Sequence, residues 1–169
     1  MINREIKRSR RTEETRWRRN FAAEIPTPCD VDGTLIQSVV MDADLFDQAF
    51  LDTFGVRLPT TDWTSYENAT DGGIAAEAIT RLRLPSEPLS ELRRRFVELL
   101  ATVEAIAPVP GAREILQELA SRGIAVGIAT GGWRDAAIAK LRAAAVDIHG
   151  VPLVGSDISP RRRDIVRVL

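Results

Sequence analysis

The sequence contains very little cysteine and has no long apolar run. Cys29 is the single cysteine among 169 residues, which excludes a disulfide framework and favours a reducing compartment. No apolar run is long enough to cross a membrane or to form the core of a signal peptide. The net charge of −1 gives no reason to expect a nucleic-acid or acidic-lipid partner for the whole chain. These absences predict a cytoplasmic globular protein.

What is present is an ordinary globular composition with an uneven distribution of charge. Hydrophobic residues make up 44% of the chain and charged residues 28%, which is enough for one domain and a subdomain. Residues 1–19 hold eight Arg and Lys residues against three Glu residues. We expect residues 1–20 to form a disordered basic tail, with nucleic-acid contact as the alternative.

A pair of carboxylates, Asp30 and Asp32, is the most informative feature of the chain, and residues 30–35 read DVDGTL. If a strand precedes the pair, both side chains leave it on the same side. Gly33 permits a sharp turn and is expected to leave its amide open to an anion. Such a pair can supply a nucleophile, a general acid and a magnesium ligand for phosphoryl transfer. A calcium loop is excluded because no Glu occupies the closing position.

Two further signals follow in the chain. Residues 125–130 read as a short buried strand that ends at Thr130, and Gly131 and Gly132 come next. The hydroxyl and the amides there can bind a phosphate, although a Thr in this place often only caps a strand. The third signal is a run of three arginines, residues 161–163, at the start of a predicted helix. A basic residue there can neutralise a phosphate, and a solvated helix start is the alternative.

The string CDVDGTL at residues 29–35, with the two later signals in the same order, resembles the haloacid dehalogenase-like hydrolase superfamily. The resemblance implies a Mg²⁺-dependent phosphatase that acts on a small phosphorylated metabolite; dehalogenation is a minor alternative. It implies that Asp30 attacks phosphorus to give an aspartyl-phosphate, and that Asp32 is the general acid and base. Mg²⁺ would be bound by Asp30 and the backbone carbonyl of Asp32. The groups implied to hold the phosphoryl oxygens are Gly33, Thr130, Gly131 and Arg162, with Arg161 or Arg163 as alternatives for the last.

The stretch from residue 39 to residue 107 is predicted to be all helical. Helices are predicted over residues 44–54, 73–82 and 90–103, with Gly55 ending the first and Ser90 capping the third. Such an insertion resembles the helical cap of phosphoglycolate phosphatase-like members of the superfamily. Thr70 and Asp71 are the candidates for substrate contacts from this cap, and capping of the next helix is the alternative.

Residues 110–156 return to an alternation of helix and strand, with helices over 112–121 and 135–144 and strands over 124–130 and 151–154. This alternation predicts an α/β fold with a parallel sheet. Together with the resemblance, it predicts a Rossmann-like core formed by residues 21–38 and 108–169. His149 falls in a loop before the last strand and is predicted to be a turn residue.

Two departures from the family pattern bear on activity. Pro26 and Pro28 precede Asp30, and proline is disfavoured in a central strand because it cannot donate a ladder hydrogen bond. No acidic strand of the kind that forms the family's fourth motif is found before Leu169, so the core is expected to be incomplete and its magnesium site weak. The alternative to an active enzyme is therefore a truncated, inactive remnant of the family. Cys29 is predicted to be a buried strand residue and not a nucleophile.

Overall fold

Three parallel strands form the sheet of the computed structural model, which describes residues 26–169. They are β1 (Thr27–Cys29), β2 (Val126–Ala129) and β3 (Leu153–Val154), in the order β1-β2-β3. Thr27 pairs with Val126, and Ile128 pairs with Leu153. The predicted α/β fold with a parallel sheet is therefore confirmed. The predicted basic tail lies outside the described residues.

The strand before Asp30 forms in spite of its proline, contrary to the expectation from the sequence. Thr27 donates its amide to the Ala125 carbonyl at 2.8 Å, and Pro28 lies opposite Gly127. Alternate residues of a strand direct their amides to opposite sides. Because Thr27 donates towards β2, the nitrogen of Pro28 faces the other side, where no described strand pairs with β1. Proline is tolerated at such an edge position.

Residues 39–107, which we call the helical segment, contain no strand, as predicted. They form α1 (Val39–Phe54), a short 3-10 helix (Trp63–Ser65), α2 (Asp71–Leu82) and α3 (Leu89–Ala101). Helix α1 begins earlier than predicted because Val39 and Val40 in its first turn are exposed, so this turn lacks the apolar periodicity of the rest. The predicted cap of α3 is wrong, because Pro88 and not Ser90 precedes the first helical turn.

The remaining helices cover the sheet. Helix α4 is Ala112–Ser121, α5 is Arg134–Ala143 and α6 is Arg162–Val168. The first two match their predicted positions to within one residue at each end. His149 lies in a turn between α5 and β3, as predicted. No helix within residues 26–169 has the length and apolar character that a membrane span requires.

Two apolar clusters hold the fold together. One lies under the sheet and contains Val31, Ile128 and Leu141. The other lies within the helical segment, where the ring of Phe46 packs 5.1 Å from Phe96 and 5.6 Å from Trp133, measured between centroids. Trp133 comes directly before α5, so this second cluster joins the helical segment to the loop that follows β2.

Candidate active site

The carboxyl ends of the three strands bring the predicted motifs to one edge of the sheet. Asp30 directly follows β1, Thr130 directly follows β2, and the segment after β3 leads into α6, which begins at Arg162. Parallel strands end at the same edge, which is where ligands bind in open α/β sheets. The structure thus brings together three segments that are far apart in the sequence.

Arg162 is the basic residue that contacts Asp30. Its Nη1 atom lies 2.5 Å from Oδ2 of Asp30, and the other carboxylate oxygen accepts a hydrogen bond from the Val31 amide at 2.8 Å. Among the described residues, the side chains of Arg161 and Arg163 form no hydrogen bond or ion pair with Asp30. The geometry therefore favours Arg162 over its two neighbours for the basic position of the motif.

Asp32 is held by donors that the sequence pattern did not indicate. Nζ of Lys140 lies 2.6 Å from Oδ1 and 2.8 Å from Oδ2 of Asp32, and Ser38 donates its hydroxyl to Oδ1. Lys140 also donates to Oδ1 of Asp42 at 2.7 Å. The Lys140 side chain has no exposed surface. An ammonium group is therefore buried directly beside the second carboxylate of the motif.

The signal that could have revealed Lys140 is its place on α5. The buried residues of this helix are Ala136, Ala137, Lys140 and Leu141. Their spacing is that of a single apolar stripe on a helix, which faces the core. A charged residue within that stripe must find a partner in the interior, and Asp42 supplies one from α1.

Four ionisable residues lie together here and influence one another's protonation. We call them the ionic cluster: Asp32, Asp42, Asp71 and Lys140. Burial raises the pKa of Asp42 to about 6, against the attraction of Lys140. Burial and the charge of Asp42 raise the pKa of Asp71 to about 8, against the effects of Lys140 and of the Trp133 amide. Burial alone would lower the pKa of Lys140, but the surrounding carboxylates raise it above its ordinary value. At neutral pH the ammonium is charged, and Asp71 largely keeps its proton.

The loop after β2 is closely packed around Gly131. Thr130 is buried, and its hydroxyl accepts a hydrogen bond from the Gly132 amide at 3.1 Å. A Cβ atom on Gly131 would lie 2.7 Å from Nη2 of Arg162 and 3.1 Å from the Ala69 carbonyl oxygen. Only glycine therefore allows the guanidinium to lie against this loop. Within residues 26–169, the Gly131 amide has no hydrogen-bond acceptor, so it can donate to a ligand.

The expectation that the Gly33 amide is open to an anion is wrong for this structure. That amide donates to the Ile36 carbonyl at 2.8 Å. The backbone of Gly33 has a φ of +74°, which glycine adopts without strain. The turn after the carboxylates thus closes on itself, and it requires glycine for its conformation.

Thr70 and Asp71 are buried and form hydrogen bonds with the loops of the site. The Thr70 hydroxyl donates to the Pro160 carbonyl at 2.8 Å and accepts from the Gly73 amide at 3.1 Å, so it caps α2. Oδ2 of Asp71 accepts from the Trp133 amide at 2.8 Å. These contacts join the start of α2 to the loops after β2 and β3. The role of both residues as substrate contacts stays a prediction.

An open cavity of about 420 Å³ lies beside Arg162. Its lining residues are Glu67 and Asn68 of the helical segment and Arg161, Arg162 and Arg163 at the start of α6. A cavity of this size admits a small metabolite. Three arginines among its five lining residues favour an anionic ligand.

Cys29 stands in β1 next to Asp30 and is half-buried. Burial raises the pKa of its thiol, which disfavours the thiolate that a nucleophilic cysteine needs. Cys29 is thus a strand residue, as predicted, but it is half-buried and not buried.

The residues at this edge fit a magnesium ion that is shared with a phosphorylated ligand. Within the described part of the chain, no group of three or more His, Cys, Asp or Glu side chains is arranged to hold a metal ion. Mg²⁺ is nevertheless commonly held by one or two carboxylates together with phosphate oxygens and water. Asp30 offers one carboxylate. Lys140 contacts both side-chain oxygens of Asp32. The backbone carbonyl oxygen of Asp32 is therefore more available than its side chain as a ligand for Mg²⁺.

This α/β architecture places acidic, hydroxyl and basic groups together at the carboxyl ends of parallel strands, which is where open α/β folds bind their ligands. The chain belongs to the haloacid dehalogenase-like hydrolases, whose family model matches residues 29–163. A comparison with curated proteins finds no significant match.

Solved structures with the same fold include a hydrolase from Pseudomonas syringae, which is 26% identical with a TM-score of 0.60 and is matched over 80% of this chain. CbbY from Rhodobacter sphaeroides, in complex with xylulose-(1,5)bisphosphate, is 21% identical with a TM-score of 0.63 over 86% of this chain. A provisionally assigned phosphoglycolate phosphatase from Lactobacillus plantarum is 20% identical with a TM-score of 0.56 over 82% of this chain. The chain spans 62%, 71% and 64% of the length of these three proteins, respectively.

Proposed function

We propose that the protein is a Mg²⁺-dependent phosphatase that hydrolyses a small phosphorylated metabolite through an aspartyl-phosphate at Asp30. The observation that carries this proposal is the ion pair between Asp30 and Arg162 at the carboxyl edge of the sheet. A guanidinium in this place can bind the phosphoryl group and hold the attacking oxygen towards phosphorus. The arginine-lined cavity beside it agrees with an anionic substrate.

In the first step, a carboxylate oxygen of Asp30 forms a bond to phosphorus as the bond from phosphorus to the leaving oxygen breaks. Asp32 gives its proton to that oxygen, so the alcohol leaves neutral. In the second step, Asp32 takes a proton from a water molecule as the water oxygen attacks phosphorus. Phosphate leaves, and the Asp30 carboxylate is restored.

The remaining groups stabilise the charge on the phosphoryl oxygens. Arg162 and the Gly131 amide donate to them, and Thr130 shapes the loop that presents this amide. Asp30 and the backbone carbonyl of Asp32 would hold Mg²⁺, which neutralises phosphate charge when it is bound.

In this proposal, the helical segment is a cap that covers the carboxyl edge of the sheet. Its residues Glu67 and Asn68 line the same cavity as the arginines. Such a cap excludes water and selects the substrate. Of the predicted core, residues 21–25 lie outside the described residues, and the described part would comprise residues 26–38 and 108–169.

Hydrolysis of 4-nitrophenyl phosphate by the purified protein, with and without Mg²⁺, tests the proposal. We expect Mg²⁺-dependent turnover that Asp30→Asn abolishes and that Asp44→Asn, at an exposed site on α1, leaves unchanged. Full turnover by Asp30→Asn would contradict the role of Asp30. Absence of turnover from folded wild-type protein would favour the inactive family remnant.

A further inference from the structure

Lys140 occupies a position that the proposed reaction has not yet used. Its Nζ atom lies within 2.8 Å of both oxygens of Asp32 and 2.7 Å from Oδ1 of Asp42. Lys140 comes from α5, Asp32 follows β1, and Asp42 comes from α1. One ammonium group therefore joins the carboxylate of the motif to two different helices.

The choice of lysine at this position is specific. It is the only lysine among residues 26–169, and every other basic side chain there is arginine apart from His149. An ammonium is a compact charge that can contact two carboxylates at once, whereas a planar guanidinium presents its donors in a rigid fork. The position therefore requires a small cation where the rest of the described chain uses arginine.

Stability alone does not account for this arrangement. Burial of an ion pair costs solvation free energy that its attraction often fails to repay, and apolar residues of similar volume commonly serve a fold as well or better. The ion pair does, however, fix the orientation of the Asp32 side chain. With Lys140 on both oxygens and Ser38 on one of them, the carboxyl group of Asp32 has a single fixed orientation.

We propose that Lys140, anchored by Asp42, is a positioning residue that fixes the carboxyl group of Asp32 for proton transfer to the leaving oxygen. This inference rests on the proposed function of Asp32 as the general acid. Lys140 itself touches neither the substrate nor the phosphoryl group. When Asp32 carries the transferable proton on Oδ2, Ser38 and Lys140 continue to donate to Oδ1. The donor is thereby held within hydrogen-bond reach of the leaving oxygen, as proton transfer in the transition state requires.

The leaving group of the substrate distinguishes positioning from a purely structural role. Departure of 2,4-dinitrophenolate needs no proton, whereas departure of an alkoxide needs one. Loss of a positioned acid therefore slows phosphoryl transfer from an alkyl phosphate and has little effect on transfer from 2,4-dinitrophenyl phosphate. A general loss of structure slows both reactions equally.

The experiment compares single-turnover phosphoryl transfer from these two substrates in wild type and in Lys140→Met, with Mg²⁺ present. We expect transfer from the alkyl phosphate to fall by roughly 100-fold, within the range that general acids contribute, and transfer from 2,4-dinitrophenyl phosphate to change by less than about 3-fold. Arg142→Met, at an exposed site on the same helix, is the matched control and should change neither rate.

A second variant keeps the test decisive if Lys140→Met fails to fold. Lys140→Met/Asp42→Asn removes the cation together with the charge of its anchor, and we expect the same difference between the two substrates. Equal losses with both substrates, or unchanged rates, in a folded variant would overturn the inference and leave the proposed function standing. A wild-type protein that transfers phosphoryl from neither substrate would overturn the proposed function, and the inference with it.

Discussion

Asp30 and Asp32 are separated by one residue, yet they stand in different surroundings. The Asp30 side chain is 30% exposed and faces a guanidinium that is itself 54% exposed. Asp32 is 23% exposed and is backed by an ammonium with no exposed surface. Water and a substrate can reach the first pair, while the second pair continues into the interior as the ionic cluster. These surroundings agree with the proposed roles of Asp30 as the nucleophile and Asp32 as the proton carrier.

The spacing of Asp30 and Asp32 in the sequence predicts that both lie at the carboxyl edge of the sheet. It does not predict what each side chain does there. The role comes from the partner that the fold supplies. Arg162 reaches Asp30 from α6, across the open edge of the site, whereas Lys140 reaches Asp32 from α5, behind it. Changing one partner at a time separates the contributions of the two pairs.

Removal of the buried cation should have the largest effect, and it should fall on stability. Lys140→Met leaves the carboxylates of the ionic cluster without their counter-charge, and removing one member of a buried ion pair costs about 3–5 kcal/mol. Urea unfolding followed by circular dichroism measures this loss. The double variant Lys140→Met/Asp42→Asn should recover part of it, and equal stability of Lys140→Met and wild type would show that the cluster is not buried as described.

Removal of the exposed cation should act on catalysis without a loss of stability. Arg162→Met should lower kcat/KM for 4-nitrophenyl phosphate by about 100-fold, because a charged donor to the phosphoryl oxygens is lost in the transition state. Arg163→Met, one residue along the same helix, should change it by less than about 3-fold. Urea unfolding should give nearly the same free energy of unfolding for wild type and both variants. A larger loss of kcat/KM in Arg163→Met than in Arg162→Met would assign the basic position to Arg163.

Crowding the guanidinium should weaken the exposed pair by a smaller amount. In Gly131→Ala, the new methyl group would lie 2.7 Å from Arg162, so the side chain must move away from Asp30. We expect kcat/KM to fall by about 10-fold, since a displaced donor loses only part of its transition-state interaction. Gly132→Ala is the matched control, because its methyl group meets no described atom closer than 3.5 Å. Equal effects of the two substitutions would contradict this account of the loop.

The protonation of Asp71 should be visible as a pH dependence of stability. Its pKa of about 8 in the folded chain lies above that of an unfolded aspartate. Between about pH 4 and pH 8 the folded chain therefore holds a proton that the unfolded chain has released, so the free energy of unfolding falls as pH rises. Asp71→Asn removes this proton difference, so the fall between pH 5 and pH 8 should be smaller than in wild type when it is measured by urea unfolding. Asp44→Asn should leave the pH profile unchanged, and an unchanged profile for Asp71→Asn would show that Asp71 is ionised throughout.

The sequence predicted the α/β fold and the helical segment because both rest on local periodicity. Phe46 and Phe50 mark the buried face of α1, and the alternation of helices with short apolar runs marks the sheet. The start of α1 was missed because Val39 and Val40 are exposed. Strand β1 was judged unfavourable because of Pro28, whose missing donor has no cost on the side of β1 that faces away from β2.

The site was predictable only where chemistry follows a motif in the chain. Asp30, Thr130 and Arg162 stand at the ends of predicted elements, and the fold brings their segments together. Lys140 and Asp42 lie within helices, where a charged residue usually faces solvent, and their meeting depends on how α1 and α5 pack. The closed amide of Gly33 depends on the path of the chain as far as Ile36, which no dipeptide pattern specifies.

The most direct test of the different roles of the two carboxylates is the position of the phosphoryl group during turnover. The protein would be mixed with 2,4-dinitrophenyl phosphate and Mg²⁺, quenched in acid, digested and analysed by mass spectrometry. The account predicts a phosphoryl group on Asp30 in wild type and no phosphorylated aspartate in Asp30→Asn. A phosphoryl group on Asp32, or turnover that leaves every aspartate unmodified, would contradict it.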